Sequence, residues 1–94
     1  MKSAIDILLV EDSPTDVLLA EVALAKPRFQ MENSPRLSEA LNLLIIKHFD
    51  VVLLDLGLPD SQGLDTLRMI RAKNPQIAVV VLTGRDDEEI ALQA

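Results

Sequence analysis

The sequence predicts an α/β fold, a doubly wound parallel sheet with helices on both faces. Three features of the chain predict it. Apolar runs of strand length recur at residues 4–10, 51–54 and 77–82, without the polar alternation of a sheet that faces water, which is the pattern of strands covered on both sides. Segments of helical spacing separate the strands, and strand–helix alternation builds parallel sheets with right-handed crossovers. Each run also ends on polar residues: Glu11-Asp12, Asp55 and Thr83-Gly84.

The first strand, 4–10, is interrupted only by Asp6. Ser13-Pro14-Thr15-Asp16 then reads as a helix start, with Ser13 as cap, Pro14 in the first helical position and Asp16 at the positive end of the helix dipole. This helix is expected to reach about Ala25, before Pro27. Val17, Leu18, Val22 and Ala25 form its apolar stripe, widened by Leu19, Ala20, Ala23 and Leu24, and the stripe is predicted to pack on the sheet. Residues 28–34 alternate weakly around Phe29 and Met31 and suit a polar edge strand. Residues 39–47 form a short amphipathic helix with Ser38 as its cap and His48 at its carboxyl end, where the dipole favours a cation.

Residues 51–54 are the central strand, which delivers Asp55 to its carboxyl end. Turn residues predict a loop over 58–63, followed by a helix over 64–72 with Leu64, Leu67 and Ile70 on one side. The run 77–82 is another buried strand, and 86–94, DDEEIALQA, begins a further helix with acidic residues suited to its first turn.

Composition narrows the function. Ninety-four residues form one small domain, and an apolar content of 49% is enough for a core. Two Phe, no Trp and no Tyr leave no aromatic platform for bases, and a net charge of −6 repels phosphate backbones and anionic membranes. Nucleic-acid and membrane partners are disfavoured; proteins and cations are favoured. With no Cys and a single His, neither a disulfide framework nor a zinc site can be built. The apolar run after Asp6 is too short for a signal peptide or a membrane span, so a cytoplasmic protein is expected.

In an open parallel sheet, ligands bind at the carboxyl ends of the strands. Taken alone, Asp55 suits a turn cap as well as it suits chemistry. A parallel sheet, however, brings Glu11, Asp12 and Asp55 to one edge, together with Thr83 and Gly84. Three neighbouring carboxylates repel one another unless a cation neutralises them, and all-oxygen ligation suits Mg²⁺ or Mn²⁺. Asp55 has a competent nucleophilic oxygen for phosphoryl transfer, and the Thr83 hydroxyl and Gly84 N–H are candidate donors to the phosphoryl oxygens.

The motifs LLVEDSPTD, VVLLDLGLPDSQG and VVVLTG, in this order and with Pro59 four and Gly63 eight residues beyond Asp55, resemble the receiver (CheY-like) domain of two-component response regulators. The resemblance spans the chain. It implies a flavodoxin-like sheet in strand order 2-1-3-4, Asp55 as the phosphorylated residue and Asp12 as a direct Mg²⁺ ligand. Glu11 would act mostly through metal-bound water, the Gly57 carbonyl would be the backbone ligand, and Thr83 the switch hydroxyl. The implied partner is a histidine kinase or phosphotransfer protein. Receiver domains continue into a fifth strand carrying a phosphoryl-pairing Lys, which has no counterpart before Ala94. The chain is thus expected to be a truncated receiver domain over 1–94 whose fourth strand, as a bare edge, favours self-association. Two further readings stand beside it: a non-switching structural module, and a haloacid-dehalogenase-type phosphatase. The latter needs an acid two residues beyond its nucleophile, where this chain has Gly57.

Overall fold

A computed structural model of the chain describes residues 4–58 and 61–82. Its order is β1 (Ile5–Val10), α1 (Pro14–Ala23), β2 (Phe29–Ser34), α2 (Leu37–Ile46), β3 (Val51–Asp55), the short β4 (Gly57–Leu58) and β5 (Ser61–Gln62), α3 (Leu64–Lys73) and β6 (Ala78–Leu82). The four long strands form one sheet, β2-β1-β3-β6, with every pair parallel. Counting the long strands alone, this is the expected order 2-1-3-4.

The connections explain where the helices lie. The chain steps from β1 to β2 in one direction, and from β2 to β3 and β3 to β6 in the other, so right-handed crossovers put α1 on one face and α2 and α3 on the opposite face. Leu8, Val10, Val52 and Leu54 alternate along β1 and β3 and meet Leu37, Ala40 and Leu44 of α2 and Leu67 and Ile70 of α3 in one buried cluster. Each Val, Leu or Ile among them contributes about 1.5–3 kcal/mol by leaving water. On the other face Ile7 and Leu9 are buried.

At the amino-terminal edge of the sheet, Asp50 ties β1 to β3. Its amide donates to the Asp6 carbonyl at 2.8 Å, and its Oδ2 accepts the Asp6 amide at 2.8 Å. The registers Leu9↔Leu53 and Val10↔Leu54 follow, and they fix how far each strand projects at the other edge.

Several local expectations change. α1 ends at Ala23, and its half-buried positions are Val17 and Ala20, followed by Leu24 at the cap; Leu18, Leu19 and Val22 of the predicted stripe are exposed. With eight apolar or small residues over 17–25, interrupted only by Glu21, periodicity alone could not choose which narrow strip faces the sheet. Arg36, not Ser38, is the residue before α2, because Leu37 already enters the helix and is buried. α2 stops at Ile46 with Lys47 extended, so His48 lies outside it and faces Asp50, Nε2 to Oδ1 3.3 Å. The predicted loop 58–63 contributes a two-residue antiparallel ladder between β4 and β5. α3 extends one residue further than expected, through Lys73. β6 is less buried than its sequence suggests, with Val80 50% exposed, because among the described residues it pairs only with β3. The predicted helix over 86–94 lies outside the described residues.

Candidate functional site

β1 and β3 are neighbours, and their carboxyl ends carry the acids. Asp55 is the last residue of β3; Glu11 and Asp12 follow β1 directly. One carboxylate oxygen from each of Glu11, Asp12 and Asp55 lies within 4.8 Å of the others. The sequence-predicted trio is therefore brought together, with Glu11 buried, Asp55 half-buried and Asp12 exposed.

The backbone around the trio is closely held. The Glu11 amide donates to the Ser34 carbonyl at 3.0 Å. Glu11 Oε1 accepts the Ser13 amide at 3.0 Å, and Ser13 Oγ accepts the Asp16 amide at 3.3 Å, so the predicted cap of α1 is in place. Asp55 Oδ1 accepts the Gly57 amide at 3.2 Å, and Leu56, between them, is buried. Gly63 donates its amide to the Leu56 carbonyl at 2.8 Å and leads into α3 at φ +64° and ψ −152°, a conformation open to glycine. This turn fixes the chain leaving Asp55.

Burial pushes the Glu11 carboxyl up to about 7 from its ordinary 4.5. The Ser13 amide opposes that rise, while the negative charges of Asp55 and Asp16 and a hydrogen bond with Asp55 add to it. Among the described residues no Lys or Arg pairs with any of the three acids. A crowded cluster of hard oxygen donors, with no compensating cation among the described residues, fits a divalent ion of the Mg²⁺ type. Gly57 stands beside the trio at the start of β4 and is exposed. Thr83 and Gly84 lie outside the described residues.

Asn33, which no motif of the sequence singles out, also reaches this edge with its side chain. Nδ2 donates to the Leu9 carbonyl at 3.0 Å and to the Glu11 carbonyl at 3.1 Å. Asn is depleted in strands, so its place near the end of β2 was the available signal.

A family model described as "response regulator receiver domain" matches residues 7–94. The response regulator protein PilR of Pseudomonas aeruginosa is 33% identical over 87 residues, covering 93% of this chain and 20% of its own length. The transcriptional regulatory protein PmrA of Pectobacterium parmentieri is 40% identical over 83 residues, covering 85% of this chain and 36% of its own. The chain thus spans well under half of these curated relatives. Among solved structures, the receiver domain of sensor histidine kinase PA1611 from Pseudomonas aeruginosa, with a magnesium ion coordinated in its active site cleft, superposes with a TM-score of 0.82. It is 28% identical, and the match covers 97% of this chain and 79% of that one.

Proposed function

Because the chain belongs to the response regulator receiver family, a component of two-component signalling, we propose that Asp55 is its phosphoacceptor, charged by the phosphohistidine of a histidine kinase or phosphotransfer protein. The observation that carries this is the approach of the Glu11, Asp12 and Asp55 carboxylates to within 4.8 Å at the carboxyl ends of adjacent parallel strands. An Asp55 oxygen attacks phosphorus, the phosphorus–nitrogen bond of the donor breaks, and the imidazole leaves with the electron pair of that bond. The Gly57 amide, donating to Oδ1, orients the carboxylate so that its other oxygen is the nucleophile.

Asp12 and Asp55, with the Gly57 carbonyl, would hold Mg²⁺ or Mn²⁺, and Glu11 would act through metal-bound water. The ion, when bound, neutralises charge on the transferring phosphoryl oxygens. Thr83 as switch hydroxyl and Gly84 as backbone donor complete the proposed site. In this reading the chain accepts and passes a signal and is not a turnover enzyme. Gly57, where a phosphatase of the haloacid-dehalogenase type would need a general acid, supports that choice.

Incubation with acetyl phosphate and Mg²⁺, followed by intact mass, tests the reading. One phosphoryl adduct is expected, labile to hydroxylamine, absent in Asp55→Asn and retained in Thr83→Ala. A hydroxylamine-resistant adduct, or one that survives Asp55→Asn, would contradict it.

Self-association through the β6 edge is a second proposal, favoured by the 50% exposure of Val80 on a strand whose only described neighbour is β3. Light scattering across the micromolar range should show mass rising with concentration; a monomer throughout would oppose it. Among the described residues no helix is long and apolar enough to cross a membrane, and a cytoplasmic location is part of the proposal.

A further inference from the structure

The first residue after β1 is already an acid, Glu11, and it is held from β2. Glu11 is fixed at three points: its amide on the Ser34 carbonyl, its carboxylate on the Ser13 amide, and its carbonyl on the Asn33 side chain. The third contact has no backbone counterpart. Asn33 stands opposite Leu9 in the parallel register, and its single amide nitrogen bridges the carbonyls of Leu9 and Glu11 at 3.0 and 3.1 Å. Both partners are acceptors, so only the nitrogen end of the side chain satisfies them, and only a group with two N–H bonds on one atom satisfies both at once. Asp or Leu has a similar shape and offers neither donor.

We propose that Asn33 is a positioning residue for the acidic site, acting through the Glu11 carbonyl to fix the backbone from which Glu11 and Asp12 project. The proposal rests on the reading of Glu11, Asp12 and Asp55 as a divalent-ion site. Groups that orient ligands without touching the ion commonly change metal affinity by 10–100-fold when removed. Loss of the bridge frees the peptide between Glu11 and Asp12, and an ion must then order it on binding.

Three variants are compared with the wild-type chain: Asn33→Leu, which keeps the shape and loses both donors, Asn33→Gln, which keeps the amide, and Gln30→Ala as a control at an exposed position of the same strand. Asn33→Ser, with one donor, replaces the Leu variant if that does not fold. Mg²⁺ affinity is measured by calorimetry on folded samples, and amide exchange at Asp12 and Ser13 is measured in EDTA. The expected result is at least tenfold weaker Mg²⁺ binding and faster exchange in Asn33→Leu, partial recovery in Asn33→Gln, and wild-type values in Gln30→Ala. Wild-type affinity in a folded Asn33→Leu overturns the positioning role and leaves the ion site standing. If the wild-type chain itself binds no Mg²⁺, the ion-site reading fails; exchange at Asp12 and Ser13 then decides for Asn33, acceleration in Asn33→Leu supporting the bridge and unchanged rates overturning it.

Discussion

Glu11 and Ser13 hold each other across the turn between β1 and α1: the Ser13 amide donates to Glu11 Oε1 at 3.0 Å, while Ser13 Oγ caps the helix through the Asp16 amide. A buried acid is thus tied to a helix start. The amide favours the ionised carboxylate, but burial outweighs it and the carboxyl rises to about 7.

That rise makes metal-free stability depend on pH with a definite sign. The folded value of about 7 lies above the ordinary 4.5, so the folded chain binds the extra proton between them. The stabilisation from Glu11 is full below about pH 4.5 and is lost as pH rises through about 7. Its ceiling is about 3 kcal/mol. Urea unfolding in EDTA should show a lower midpoint at pH 8 than at pH 5.5, and Glu11→Gln should flatten the difference. An unchanged slope in Glu11→Gln would assign the dependence to another group.

Divalent-ion binding should run the other way. An ion favours the ionised acids and displaces the Glu11 proton, so affinity should strengthen between pH 6 and pH 8. Calorimetry in two buffers of different ionisation enthalpy should detect the released proton near pH 6.5. Asp12→Asn should weaken binding by about tenfold or more, as expected for loss of a direct carboxylate ligand; equal affinity would remove Asp12 from the ligand set.

Gly57 and Gly63, both in the turn that follows Asp55, should respond differently to alanine. At Gly63 a Cβ meets nothing within 4 Å, but φ is +64°, so Gly63→Ala should cost about 1–3 kcal/mol through backbone strain. At Gly57 a Cβ would rest in ordinary contact with Asp55 Oδ1 at 3.9 Å, with no positive φ. Gly57→Ala should therefore change stability by about 0.5 kcal/mol or less. Chemical unfolding of both variants checks the contrast.

The faces of the sheet differ in what truncation does. Leu54 is fully buried in the α2–α3 cluster, and Leu54→Ala should lose about 2–5 kcal/mol. Leu18, 60% exposed on α1, should lose about 0.5 kcal/mol or less on the same substitution. Comparable losses would mean that α1 is covered in solution.

Much of this was legible in the residues. Unbroken runs of strand length such as Val51-Val52-Leu53-Leu54 suit parallel strands, and their polar ends place the acids at one edge. Less legible were features that depend on neighbours distant in sequence. Leu18 and Val22 satisfy helical spacing as well as Val17 and Ala20 do, and only the sheet beneath α1 selects between them. His48 suits a helix end by its charge, but Asp50, pinned to Asp6, draws the chain into β3. Asn33 carries only the weak local signal of an Asn in a strand, because its partners are carbonyls 22 and 24 residues away.

α1 contributes no buried side chain, whereas Glu11 before it is bonded to β2 and gathers with Asp12 and Asp55 at the ends of β1 and β3. Thermal motion should therefore divide the molecule unequally. Amide protons within α1 should exchange by inexpensive fraying of that one helix, while those of β1 and β3 wait for the whole sheet to come apart. Native-state exchange at increasing urea would separate the two classes, and a single shared exchange free energy would refute the division. The acidic edge then belongs to the slow-exchanging unit, so the helix that follows it can open and reclose many times while the three carboxylates keep their spacing.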